Sequence, residues 1–114
     1  MQKNNNNTIL LFTMGKIKKN MDIYVRCYST IEQPIVLPHG QQIPDNYMMI
    51  GICSYNDSWF TSTKEGTYEA IVRTAIEDAQ SIGATLIYIA HVKGREYLYG
   101  SSCYQMTCHF YKKR

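Results

Sequence analysis

The chain's 114 residues, 45% hydrophobic and 18% charged, suffice for one buried core, are too few for two, and exclude wholesale disorder. The net charge of +3 collects at the ends, in Lys16, Lys18 and Lys19 and in Lys112, Lys113 and Arg114. Terminal lysine runs are ordinarily solvated, and a nucleic-acid partner calls for a folded basic patch interleaved with aromatics, so no nucleic-acid binding is predicted.

In chain order, Lys3 and Asn4 to Asn7 precede a short apolar run, Thr8 to Met14, with no small-x-small cleavage site behind it. The run is too short for a transmembrane helix. It reads either as the remnant of an export signal or as an edge strand behind a polar tail. Residues 1–20 are therefore set apart as a flexible or signal-remnant segment, and residues 21–114 are expected to form a single domain. Asp22 to Tyr28 alternates, with Ile23, Val25 and Cys27 on one face and Tyr24, Arg26 and Tyr28 on the other, the pattern of a half-buried strand. Pro34, Pro38, Gly40 and Pro44 make residues 29–46 mostly loop, with a brief extended piece at 34–38.

Tyr47 to Ser54 is apolar at nearly every position, as in a strand covered on both faces or seated at a partner contact. Gly51 within it suggests a bulge or close approach by a helix. Tyr68, Ile71, Val72, Ala75, Ile76, Ala79 and Ile82 then follow the spacing of one helical stripe, with Glu69, Arg73, Thr74, Glu77, Asp78 and Gln80 on the polar side. Thr67 can cap this helix, Ser62 with Glu65 is the alternative start, and Gly83 is placed to end it. Thr85 to His91 reads as a strand, Lys93 to Ser101 as a charged loop, and Ser102 to Tyr111 as a final strand. The predicted fold class is α+β: a small mixed sheet with a β-α-β-β core and one amphipathic helix packed on it. A right-handed crossover makes strands 47–54 and 85–91 parallel, and the last two strands antiparallel.

The residues that carry chemistry do not converge on a motif. The cysteines are Cys27, Cys53, Cys103 and Cys108. Cys103 and Cys108 lie five apart in one extended strand, about 17 Å, too far to bond to each other, whereas Cys53 can pair with a final-strand cysteine if the strands are neighbours. Cys108 and His109 point to opposite faces, and C-x4-C-H is not the spacing of a zinc knuckle. No catalytic, metal or cofactor residues are assigned. Glu77 and Asp78, with Arg73 four residues before Glu77, read as a solvated ion pair rather than an acid–base pair. The 10 tyrosines suit a sheet with one wet face.

Ile43 to Gly51, Glu69-Ala70, the run from Asp78 to Ile87, Ser102-Cys103-Tyr104 and Phe110-Tyr111 resemble small bacterial envelope proteins that carry a Pro-x-x-Tyr-x-x-Ile-Gly strand and a helix ending Ala-x-x-x-Gly-Ala-x-x-Ile. The chain also looks loosely like the Rcs stress-sensor lipoprotein family. The resemblance covers residues 43–111 and implies a βαββ domain exposed in the cell envelope or periplasm, with no catalytic residues to transfer.

The expected function is thus a non-enzymatic interaction or structural domain of the envelope. It would bind an unidentified protein or envelope component through the Tyr-rich sheet face or the 93–101 loop, with Lys93, Arg95, Glu96, Tyr97 and Tyr99. One alternative is a small ligand-binding or thiol-dependent enzyme using Cys103 and His109. Another is a cytosolic homo-oligomer whose apolar strand 47–54 is completed by a second chain.

Overall fold

A computed structural model describes residues 17–57, 64–96 and 102–114. It contains β1 (Ile17–Ile23), β2 (Ile35–Leu37), β3 (Tyr47–Asp57), α1 (Lys64–Ser81), β4 (Leu86–Glu96) and β5 (Ser102–Lys113). The strands form one five-stranded sheet in the order β1-β3-β5-β4-β2, antiparallel throughout except for the parallel β2/β4 pair. The α+β class with a β-α-β-β core is as predicted. β3 and β4 run parallel, but β5 lies between them, so the last strand fills the centre of the sheet.

The helix covers one side only. Ile71, Ala75, Ala79 and Ile82 meet Ile50, Cys53, Ile87, Ile89, Met106, Cys108 and Phe110 in a single buried cluster. The small Ala75 and Ala79 allow close approach to the sheet, and the branched and aromatic side chains beneath fill the gap. α1 begins at Lys64, earlier than Tyr68, so Gly66 is inside it, as the alternative start implied. It ends in a Schellman motif: the Ala84 N–H donates to Ala79 O at 2.8 Å and the Gly83 N–H to Gln80 O at 3.2 Å, with Gly83 at φ +83°.

Several expectations are corrected. β3 is covered on one face, not two: Ile50, Cys53 and Tyr55 are buried and Ser54 is exposed. Its continuous apolar reading reflects a bulge between Met49 and Gly51, which brings Ile50 and Gly51 both to the helix side. β3 pairs with β5 along Tyr47–Asp57 and with β1 along Gly51–Asp57. The first strand is Ile17–Ile23, so the folded region reaches back past residue 21. It stops at Ile23 because the N–H groups of Tyr24 and Val25 both turn to Ile50 O at the bulge. Val25 and Cys27 still pack on the core and Tyr24 and Tyr28 still face water, but Ile23, expected inward with them, is 38% exposed, so the sidedness holds only in part. Lys93 to Glu96 are not loop but the end of β4, paired with Gln105 to Ser102 of β5. Tyr97, Tyr99, the run 8–14 and residues 58–63 lie outside the described residues.

Two long connections wrap the same end of the sheet. Residues 24–34 cross from edge strand β1 to edge strand β2 past the end of α1, where the Thr30 N–H donates to Gln80 O at 2.9 Å and Gln80 Nε2 donates to Ile31 O and Glu32 O. A Cβ on Gly83 would collide with Tyr28 O and Cys27, so glycine is required there for closeness as well as for its positive φ. Residues 38–46 run from β2 back to β3 on the other side, where His39 stacks on Tyr88 and the Gly40 N–H donates to the Tyr88 hydroxyl at 3.0 Å. Among the described residues, none covers the far end of that second face.

Candidate functional site

On the helix side, three polar residues far apart in sequence meet. Lys19 Nζ donates to Asp78 Oδ1 at 2.7 Å and the Tyr55 hydroxyl to Asp78 Oδ2 at 2.7 Å. Asp78 is only 8% exposed. This corrects two expectations: Asp78 is not part of a solvated helix pair, and Lys19 is not a free end. The hydrogen bond to Asp78 holds the Lys19 ammonium above its usual range, while burial and then the Cys53 and Asp78 neighbours push the Tyr55 phenol up. The carboxylate therefore has a partner on each oxygen, and the group works as a tie between β1, β3 and α1.

The register places Cys53 directly opposite Cys108 in the same layer. Both are buried free thiols, and no disulfide is formed among the described cysteines. Desolvation raises the Cys53 thiol and pushes Cys108 up to about 12, which disfavours the nucleophilic thiolate at neutral pH. Cys103 sits opposite Arg95, and His109 opposite Tyr88. Six residues of regular strand hold those two positions about 20 Å apart. Burial lowers the His109 imidazole pKa.

Among the described residues, no second layer lies over the far end of the sheet's other face. Three transverse rows follow from the register. The first is Lys18, Asn56, Gln105 and Lys93; the second is Asn20, Ser54, Thr107 and His91; the third is Asp22, Ile52, His109 and Tyr88. A bulge between Ile89 and His91 is what aligns His91 and Lys93 with this face. Apart from Lys93, which stands beyond its rim, the first two rows floor a shallow depression of about 400 Å³, where the Ser54 and Thr107 hydroxyls lie 3.5 Å apart. In the third row Tyr88 tilts against His109 with ring centroids 6.2 Å apart. Of the sequence-predicted interaction residues, Lys93 belongs to this face. Sequence alone does not single out Ser54, Thr107, Gln105 and His91, although period-two alternation along Ser102–Lys113 sets Gln105, Thr107 and His109 on one face.

Large apolar side chains are also exposed on the 24–34 connection, with Tyr28 at 95% and Ile31 at 98%. Among the described residues no helix is long and apolar enough to cross a membrane, and no group of three or more His, Cys, Asp or Glu is placed to hold a metal ion.

No family model matches the chain, and no curated protein matches it in sequence. Among solved structures it is similar to the Francisella virulence factor FvfA in its orthorhombic form, with a TM-score of 0.56, 17% sequence identity, and coverage of 82% of this chain and 96% of FvfA. Identity at that level shows a shared fold.

Proposed function

We propose that this chain is a non-enzymatic interaction or structural domain of the bacterial cell envelope that works through the uncovered face of its sheet. The observation that carries the reading is the asymmetry of the two faces: one is sealed by α1, and the other presents ordered polar rows with no described residue packed above them. Two further features support it. The Cys53 and Cys108 thiols and the Tyr55 phenol are buried and driven towards their neutral forms. The Asp78 carboxylate is committed to two partners within the fold. Placement in the envelope rests on the sequence resemblance over residues 43–111. A protein with this fold, FvfA, is described as a virulence factor.

The test is amide chemical-shift mapping of the isotope-labelled chain against a solubilised bacterial envelope fraction. Amides of β3, β4 and β5 in the three rows should shift or broaden while those of α1 stay unchanged. Shifts confined to α1, or turnover of a small molecule that Cys103→Ser abolishes without unfolding the chain, would overturn the reading.

A further inference from the structure

We infer that the first two rows of the open face bind an anionic glycan, a proposal that rests on the open face being the interaction surface. Strand pairing brings neutral polar side chains side by side in these rows. Asn56, Gln105 and Asn20 offer amides and Ser54 and Thr107 hydroxyls, groups that both donate and accept. A ligand whose own surface is a lattice of hydroxyls matches that alternation, provided it can lie flat over a depression of about 400 Å³.

Charge then narrows the class. Lys18 and Lys93 stand at opposite ends of the first row, three strand spacings apart, roughly 14 Å. His91 closes the second row on the same side as Lys93. No carboxylate lies in either row; Asp22 is in the third. Two exposed cations flanking neutral hydrogen-bonding groups complement a ligand that carries negative charge at intervals rather than a neutral sugar.

What the rows lack discriminates further. A protein partner is anchored mainly by aromatic or arginine side chains seated in pockets, and a single-stranded nucleic acid by rings on which bases stack. The first two rows contain no aromatic ring other than His91. The rings of this face lie beyond these rows: His109 and Tyr88 in the third, where Tyr88 is already engaged by His39 and by the Gly40 N–H, and Tyr111 in the next.

The test uses the full chain and four defined probes: oligogalacturonate for carboxylate charge, dextran sulfate for sulfate charge, neutral dextran, and a twelve-residue oligothymidylate as a polyanion that is not a glycan. Binding is read by amide shifts and by titration calorimetry at 0.15 M salt. The expected result is saturable binding of at least one anionic glycan, with shifts centred on Ser54, Gln105 and Thr107. Dextran and the oligothymidylate should bind at least tenfold more weakly, and Lys18→Gln/Lys93→Gln should weaken the glycan at least tenfold with an unchanged melting temperature. Failure of both anionic glycans, equal binding of the oligothymidylate, or a double variant that binds as well as wild type would overturn the inference. If the glycans fail while an envelope fraction still shifts the same rows, only the glycan assignment falls; if neither moves them, the interaction-surface reading falls with it.

Discussion

The same two strands, β3 and β5, present Tyr55, Met106 and Phe110 to the helix and Ser54, Thr107 and His109 to the opposite side, one residue apart along the chain. Towards the helix, a buried apolar cluster fills the layer and its carboxylate is paired within the fold: Asp78 takes Lys19 and Tyr55. On the other side the side chains lie in rows, where the Ser54 and Thr107 hydroxyls meet across two strands at 3.5 Å. Burial stabilises a fold in proportion to apolar area removed from water, so the first face carries the stability. Polar side chains on an uncovered strand surface contribute little to stability and are therefore available for contact.

That contrast is breakable by substitution. The largest loss is expected for Phe110→Ala, which opens a cavity at the centre of the helix-side layer and should cost about 3–5 kcal/mol by urea unfolding. Asp78→Asn turns an amide N–H₂ towards one of two donors that now meet a carboxylate, and Tyr55→Phe leaves one carboxylate oxygen without its bond. Each should cost about 1–3 kcal/mol, with non-additive losses in the double variant because both changes act on one network. A smaller cost of Asp78→Asn than of an open-face change such as Thr107→Ala would remove the distinction between the faces.

Gly83→Ala should cost about 1–2 kcal/mol for its left-handed backbone alone, and more because the new methyl meets Tyr28 O and Cys27. Its thermal midpoint should fall while the binding rows stay intact. The mildest effect is a pH dependence from His109, whose burial lowers its folded pKa below the usual 6.5. The unfolded chain then takes up its proton first. Stability is complete above pH 6.5 and declines as pH falls through the lower folded value. Urea titrations between pH 7.5 and 5 should show this slope, and His109→Gln should flatten it.

Much of the fold was legible because local rules and tertiary packing agree. The stripe from Tyr68 to Ile82, the glycine at 83 and the alternation after Ser102 each point one way, and the structure follows them. The strand order was not legible: nothing local tells that β5 inserts between β3 and β4, since that depends on pairing across some 50 residues. Asp78 reads as solvated only because its charge groups it with Glu77 and Arg73; its spacing, seven residues after Ile71, three after Ala75 and four before Ile82, already sets it at the edge of the apolar stripe. Tyr55 and Lys19, brought from two other strands, make its burial tolerable. Lys19 was hidden in a lysine run, though a long side chain on an edge strand can lay its stem on the protein and carry its charge to a buried partner. Lys93 to Glu96 were taken for loop because a strand running past the helix has no buried side to mark it: His91, Val92 and Lys93 are all exposed. The candidate site suffers from the same effect. Uncharged polar residues such as Ser54 and Thr107 carry no periodic signal of their own, and become a surface only when the register sets them side by side.

The central claim is that the open face makes contact and the helix side holds the fold, and Thr107→Glu tests it most directly. This variant places a carboxylate in the middle of the open rows, where it meets no core residue. Its melting temperature should stay within about 3 °C of wild type, as expected for a surface change within about 0.5 kcal/mol, while binding to the envelope fraction is lost. Unchanged binding by Thr107→Glu, alongside loss of binding by Arg73→Glu on the outer side of α1, would contradict it.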